Sequence, residues 1–214
     1  MKDGLCWLSD FTYVKRSDDR NKNIDGGIRM DIKKIANNCK GHLRIVLRHK
    51  KEVMINCFKC GLIIQGITHD LSKFSPSEFF PSVMNFQGDR SPNEGERDKY
   101  GYSKAWMHHK GRNKHHFEYW TDYSVETREL EPVRIPKRFV IEMFCDRVAA
   151  SKIYLGENYD NSAALNYFLK GKKKRKIHPK TGEELERLLR MLEEKGESET
   201  FRYIRRAVFL NREL

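Results

Sequence analysis

From Ile32 onward the apolar positions fall at Ile35, Ala36, Cys39, Leu43, Val46, Leu47, Val53, Met54 and Cys57, the three-and-four spacing of a helix that buries one face. The pattern predicts a single long helix, open to a break near Gly41 because glycine weakens helix interiors. After Gly61, Leu62, Ile63, Ile64, Ile67 and Leu71 predict a second buried helix that runs through His69 and Asp70. Ser75-Pro76-Ser77-Glu78 reads as an N-cap, a proline at the first helical position and a capping-box glutamate, opening another helix. Gln87 to Lys99 reads as a loop. Tyr102, Ala105, Trp106 and His109 share a helical face, Gly111 interrupts it, and His116, Tyr119 and Trp120 take up a similar face beyond.

Pro132 and Pro136 bracket an extended connector. Val140, Met143, Phe144, Val148 and Ile153 then mark a helix from Phe139 to Tyr154, with Glu142 and Asp146 one turn apart on one side. Ser162 to Leu169 predicts a short helix that ends in the basic run Lys170 to Lys176. Thr181 and Glu184 form a capping box for a helix to about Glu194, and Ser198 starts a last one to Asn211. No alternating strand pattern of useful length and no internal repeat is present, so the fold class is all-α. The expected organisation is an irregular N-terminal arm over residues 1–30, a helical core over 31–160, and a basic helical extension over 161–214 packed on that core.

Composition narrows the function classes. A chain of 214 residues that is 38% hydrophobic and 34% charged, with a mean hydropathy of -0.77, can bury a real core, which excludes disordered, collagenous and membrane-embedded classes. The start MKDGLCWLSDF has no secretory pattern, and no run approaches the roughly 18 apolar residues of a membrane span, so a cytoplasmic protein with no membrane partner is expected. Lys and Arg number 42 against 30 Asp and Glu, a net +12 that favours anionic partners such as phosphoesters, nucleotides or nucleic acid. Cys6, Cys39, Cys57, Cys60 and Cys145 are odd in number and scattered, which fits reduced thiols. The Cys57-x-x-Cys60 pair has no second pair to complete a zinc site.

The histidines change the picture. All but His178 fall between residues 42 and 116, and His108, His109, His115 and His116 sit within nine residues. A single imidazole has many structural uses, but neutral imidazoles with carboxylates at matching helical positions suit Zn, Fe, Mn or Ni, and carboxylate-bridged pairs suit dinuclear sites. Adjacent His69 and Asp70 diverge by about 100° on a helix, yet both reach a metal from different sides where the helix ends in a bundle core. Lys73, three residues on, returns toward Asp70 and offers a cation to a phosphate.

His49, His69-Asp70 and Asp146 occur in the order of the HD superfamily of metal-dependent phosphohydrolases, and HDLSK (His69 to Lys73) is similar to its HD-x-x-K segment. More closely, HDLSKFSPSEF (His69 to Phe79), AWMHHKGRNKHHFEYW (Ala105 to Trp120) and EMFCD (Glu142 to Asp146) resemble an uncharacterised bacterial and phage family of unknown function, over about His49 to Ala150. The superfamily resemblance implies an HD-domain-like all-α bundle holding one or two divalent ions (Fe, Mn, Zn, Co or Ni) through His49, His69, Asp70 and Asp146. Some dinuclear members add histidines in the interval where residues 108 to 116 lie. There the helical phase favours His109 and His116 and leaves His108 and His115 facing solvent or standing behind the ligands. His42, two turns before His49, can substitute for it. Asn113 and Glu142 read as partners of the ligands or as substrate contacts.

On that reading two divalent ions with two Asp ligands leave a site near +2, which attracts phosphate and acidifies a bound water. Lys73 would neutralise a phosphoryl oxygen, and Glu142 or a nearby histidine would protonate the leaving alkoxide. The expected activity is hydrolysis of a nucleotide or other small phosphoester. The alternatives are a dinuclear-iron oxygenase of the HD-like fold, or a nucleic-acid-binding protein, through Lys170 to Lys176, in which a metal only staples helices. Trp106, Tyr119 and Trp120 read as core aromatics or as walls of a pocket.

Overall fold

The computed structural model describes residues 32–88, 90–211 and 214; the arm expected over residues 1–30, with Cys6, lies outside the described residues. The fold is all-α, with one small hairpin. α1 (Ile32–Cys60) buries His42, Val46, His49, Val53, Asn56, Cys57 and Cys60, which step by threes and fours to Asn56 and continue through Cys57 and Cys60 on the same stripe. It does not break at Gly41. A Cβ there would lie 2.6 Å from the Phe86 ring, so the glycine serves close packing within a continuous helix.

α6 (Lys137–Leu155) is the axis of the bundle, and its twelve residues from Val140 to Ser151 are all buried. α1, α7 (Ala163–Gly171) and α8 (Pro179–Phe209) pack along it. Val53 of α1, Val140, Phe144 and Val148 of α6, Phe168 of α7 and Leu188 of α8 meet in one apolar core. At roughly 1.5–3 kcal/mol for each large side chain fully removed from water, this core is the main source of stability. Because α7 and α8 supply Leu165, Leu185, Leu189, Leu192 and Ile204 to it, these two helices are an integral wall of the bundle. Gly196 (φ 75°, ψ 174°) divides α8 between the expected end near Glu194 and the expected restart at Ser198.

Local readings fail where side chains have tertiary partners. The capping box at Thr181 and Glu184 does not form; Thr181 Oγ1 accepts the Ile135 amide at 3.1 Å and Glu184 pairs with Arg134 at 2.7 Å, so both pin the 133–136 connector to α8. The segment expected as a loop contains α4 (Pro92–Tyr100), capped by the Ser91 hydroxyl and closed by Gly101 in the left-handed region. β1 (Thr121–Tyr123) and β2 (Leu130–Pro132) form an antiparallel pair with Asp122 opposite Glu131, too short for alternation to register in sequence.

The second helix is α2 (Ile63–Thr68), and it stops before His69. Its Ile63, Ile64 and Ile67, and Leu71 beyond it, are exposed, so it is not the buried helix that the apolar run predicted. α3 (Pro76–Met84) and α5 (Lys104–Lys110) complete the end of the bundle where α1 and α6 present their polar residues. No helix among the described residues is long and apolar enough to cross a membrane.

Candidate metal centre

Five segments converge at this end. α1 brings His49 on the stripe that carries Val46 and Val53, and α6 brings Glu142 and Asp146, one turn apart. The turn after α2 brings His69 and Asp70. Lys50 donates to the Ile67 and His69 carbonyls at 2.8 Å each, which closes the end of α2. His69 then leaves in an extended conformation and Asp70 turns left-handed (φ 54°, ψ 26°), so the two side chains diverge through a turn and not across a helix surface. Aspartate tolerates that backbone region better than most residues. α5 brings His109, and the turn after it brings His115 and His116.

His49 Nε2 lies 2.8 Å from Asp146 Oδ1, an ordinary hydrogen bond. Four other pairs are longer: His69 Nε2 to Asp70 Oδ2 at 3.4 Å and to Asp146 Oδ1 at 3.6 Å, and Asp70 Oδ1 to His109 Nε2 at 3.3 Å and to His115 Nε2 at 3.4 Å. His69 Nε2, Asp70 Oδ1 and His115 Nε2 are buried with no hydrogen-bond partner. Leaving such atoms dry and unsatisfied costs on the order of 1–3 kcal/mol each. Ligand atoms around a tetrahedral ion with bonds of about 2.1 Å stand roughly 3.4 Å apart, so the four spacings suit a shared cation. His49, His69 and Asp70 form one group of ligand atoms within 4.8 Å of one another, and Asp70, His109, His115 and His116 form a second. Asp70 belongs to both. This buried His/Asp cluster can hold a metal ion.

Behind the ligands stand two carboxylates. Glu142 Oε1 takes His69 Nδ1 at 2.9 Å and His115 Nδ1 at 3.1 Å, which turns both Nε2 atoms toward Asp70. Burial pushes the Glu142 carboxyl up, but its bonds with His115 and His69 prevail and hold it below the usual range. It is thus an ionised acceptor, engaged twice, and not the proton donor to an alkoxide that the sequence suggested. Glu78, expected to cap α3, instead takes His108 Nδ1 at 2.6 Å and His109 Nδ1 at 2.8 Å. The same balance, burial upward and His109 downward, leaves it ionised. Asn113 donates to Ser72 Oγ at 2.7 Å and to the His109 carbonyl at 2.8 Å, so it supports His109 and the 71–74 turn.

Burial works against the charges of Asp70 and Asp146, yet His69 and Lys73 hold Asp70, and His49 and His69 hold Asp146, well below the usual carboxylate range. The His69 imidazole is correspondingly lifted well above its ordinary value: burial opposes this, and Asp70 and Asp146 outweigh burial. Lys73, partly exposed in the lining of a cleft beside the cluster, reaches Asp70 Oδ2 with its Nζ at 2.7 Å.

The structure therefore brings together His49, His69, Asp70, His109, His116 and Asp146, with Lys73, Glu142 and Asn113 beside them. His115, read as facing solvent or standing behind the ligands, is 1% exposed and inside the cluster. The helical-phase argument failed because Gly111 to Lys114 is a turn, so neighbouring residues 115 and 116 are free to face the same way. His108 stays outside, on Glu78. His42 keeps to the α1 stripe, with its ring 5.4 Å from that of Phe79, and joins no ligand group. Trp106 walls the site, its ring 4.9 Å from that of His116. Trp120 packs against the core, and Tyr119, expected there too, is exposed. In the basic run, Lys172 pairs with Glu186 at 2.6 Å and Arg175 donates to the Phe168 carbonyl at 2.7 Å, and none of its residues lines the cleft.

A family model described as a family of unknown function, DUF5662, matches residues 38–191, and the chain belongs to that family. No curated protein and no solved structure matches it.

Proposed function

We propose that this member of the family is a metal-dependent phosphohydrolase of HD-like construction, which splits a phosphoester with water into an alcohol and phosphate. The observation that carries the reading is the convergence of Asp70, Asp146 and five buried histidines beside Lys73 at the foot of a cleft, with His69 Nε2, Asp70 Oδ1 and His115 Nε2 left without a hydrogen-bond partner. His49, His69, Asp70 and Asp146 would hold one divalent ion, and Asp70, His109, His115 and His116 a second. A divalent ion there supplies Lewis acidity toward a phosphoryl oxygen and lowers the pKa of water.

The chain's own residues do the rest. Lys73 is placed to neutralise a phosphoryl oxygen once Asp70 is engaged by metal. Glu142 takes the Nδ1 side of His69 and His115, and Glu78 that of His109, which aims each Nε2 into the cluster; His109 Nε2 there meets His116 Nε2 at 2.9 Å, a contact that a cation would have to replace. Trp106 and the α1 stripe exclude water from the rest of the site.

The test is metal content by elemental analysis on untagged protein, wild type beside Asp70→Ala, followed by phosphate release from a panel of phosphoesters after metal is restored. One or two equivalents in the wild type, lost in the variant together with phosphate release, support the reading. Two irons with an oxygen-sensitive visible absorbance and no phosphate release would replace it with the oxygenase. Metal-independent, steeply salt-dependent nucleic-acid binding would replace it with the basic surface.

A further inference from the structure

The cleft that opens from the cluster differs in character from the cluster itself. Ile45 and Val46 of α1, Ala150 and Ile153 of α6, with Phe86 and Trp106, make it mostly apolar. The lysine and arginine side chains that line it are Lys73 and Arg90. Lys73 stands at the metal-ligand end, on Asp70. Arg90 is engaged elsewhere, 2.8 Å from Asp98 and 2.6 Å from Gln87 Oε1. The cleft thus has cationic support for one phosphoryl group at its foot and none ready for a second one higher up. A second phosphate placed against these walls would lose its hydration without a paired charge.

Asp70 Oδ1, His116 Nδ1 and His42 Nε2 are buried, unpartnered polar atoms of the cleft lining, and of the three His42 is the one that stands outside the ligand groups. His42 Nε2 is buried and has no hydrogen-bond partner, while its ring is held between those of Phe79 and Phe86 at 5.4 and 6.0 Å. Burial, helped by the Lys73 charge, lowers this imidazole to about 4, so it faces the cleft neutral. A neutral imidazole offers a single hydrogen bond and no attraction for an anion. Phe86 in turn is fixed against Gly41, where no Cβ could fit. The cavity volume is about 90 Å³. Since an apolar cavity of roughly 150 Å³ takes one benzene ring and this one also borders His49, Asp70 and Asp146, it holds a phosphoryl group with only the first atoms of a small alcohol, whose remainder lies along the apolar wall toward solvent.

We infer that the substrate, on the phosphohydrolase reading given above, is a monoester of phosphate with a small apolar or aromatic alcohol, whose body packs between Phe86 and Trp106 beside His42, and that di- and triphosphates are rejected. Binding and turnover read this preference separately.

The metal-loaded protein is titrated by calorimetry with phenylphosphonate and with methylenediphosphonate, neither of which it can hydrolyse, and phosphate release is compared for phenyl phosphate, glucose 6-phosphate and ADP. Phenylphosphonate binding at least tenfold tighter than the diphosphonate, with kcat/KM for phenyl phosphate at least tenfold above the other two, is the expected result. His42→Gln and Phe86→Leu should each raise KM for phenyl phosphate severalfold with little change in kcat. Two variants are used so that misfolding of one does not decide the outcome. Equal or reversed phosphonate affinities, or no binding of either, would overturn the inference. Preferential cleavage of ADP would overturn it while leaving the hydrolase reading intact. The expected phosphonate order without cleavage of any ester would support the cleft preference and remove the hydrolase.

Discussion

Glu142 accepts two imidazoles with one oxygen, one from each of the two ligand groups, and that sharing makes it the most consequential residue that touches no substrate in the reading above. Glu142→Gln keeps the shape but removes the charge and one certain acceptor, so His69 and His115 lose their fixed orientation together. Affinity for the divalent ion should fall about 10–100-fold, measured by competition with a chelator, while the protein remains folded. The raised His69 imidazole sets a second expectation. A group lifted above its ordinary value holds a proton at neutral pH, and a cation must displace it, so metal uptake should release protons and tighten as pH rises from about 6 to 8. Calorimetry in two buffers of different ionisation enthalpy reads the proton count, and uptake without release would place the ion outside this cluster. The sequence revealed His69, Asp70 and Asp146 because the adjacent pair and its order before a later Asp survive in the fold, although His69 and Asp70 lie in a turn and not on the helix expected there. It hid His115 and Glu78, because the first sits in a turn where phase has no meaning and the second carries a local capping pattern that a distant histidine pair overrides.

Among the elements, α1 and α6 were legible through the spacing of their apolar residues, and the two segments of α8 through cap signals at Thr181 and Ser198, although Thr181 serves as a tertiary partner and not as a cap. α4 was not, since PNEGERDKY offers periodicity almost nothing to work on and only Ser91-Pro92 and Gly101 mark its ends. α8 also permits a test in which one substitution has opposite effects at two places. Gly196 sits at φ 75° and ψ 174°, a region open essentially to glycine alone, so Gly196→Ala should cost about 1–3 kcal/mol. Gly182 is helical, and a Cβ there meets nothing nearer than Ile177 at 3.5 Å, so Gly182→Ala should stabilise by up to about 1 kcal/mol. Urea denaturation of both variants checks the pair. Equal signs would mean that α8 is continuous through residue 196.

At the scale of the molecule, a cation bound only by the folded state adds stability by mass action, about 2.7 kcal/mol at a hundredfold excess over Kd. For a chain of this length that is a rise in Tm of roughly 5–10 °C, expected with Mn²⁺ or Zn²⁺ in the wild type and absent in Asp70→Ala. Differential scanning calorimetry with and without chelator measures it. The position of α6 has a consequence for inheritance. Every proposed ligand lies between His49 and Asp146, yet the helix that carries Asp146 is walled by Leu165, Phe168, Leu188 and Ile204, all beyond residue 160. A gene fragment that ends after α6 would encode the whole motif and lay bare the apolar side of its central helix, yielding aggregate and no site. Recombination can pass this chemistry on only as the entire bundle, and a search for its origin by motif alone would be looking at too small a unit.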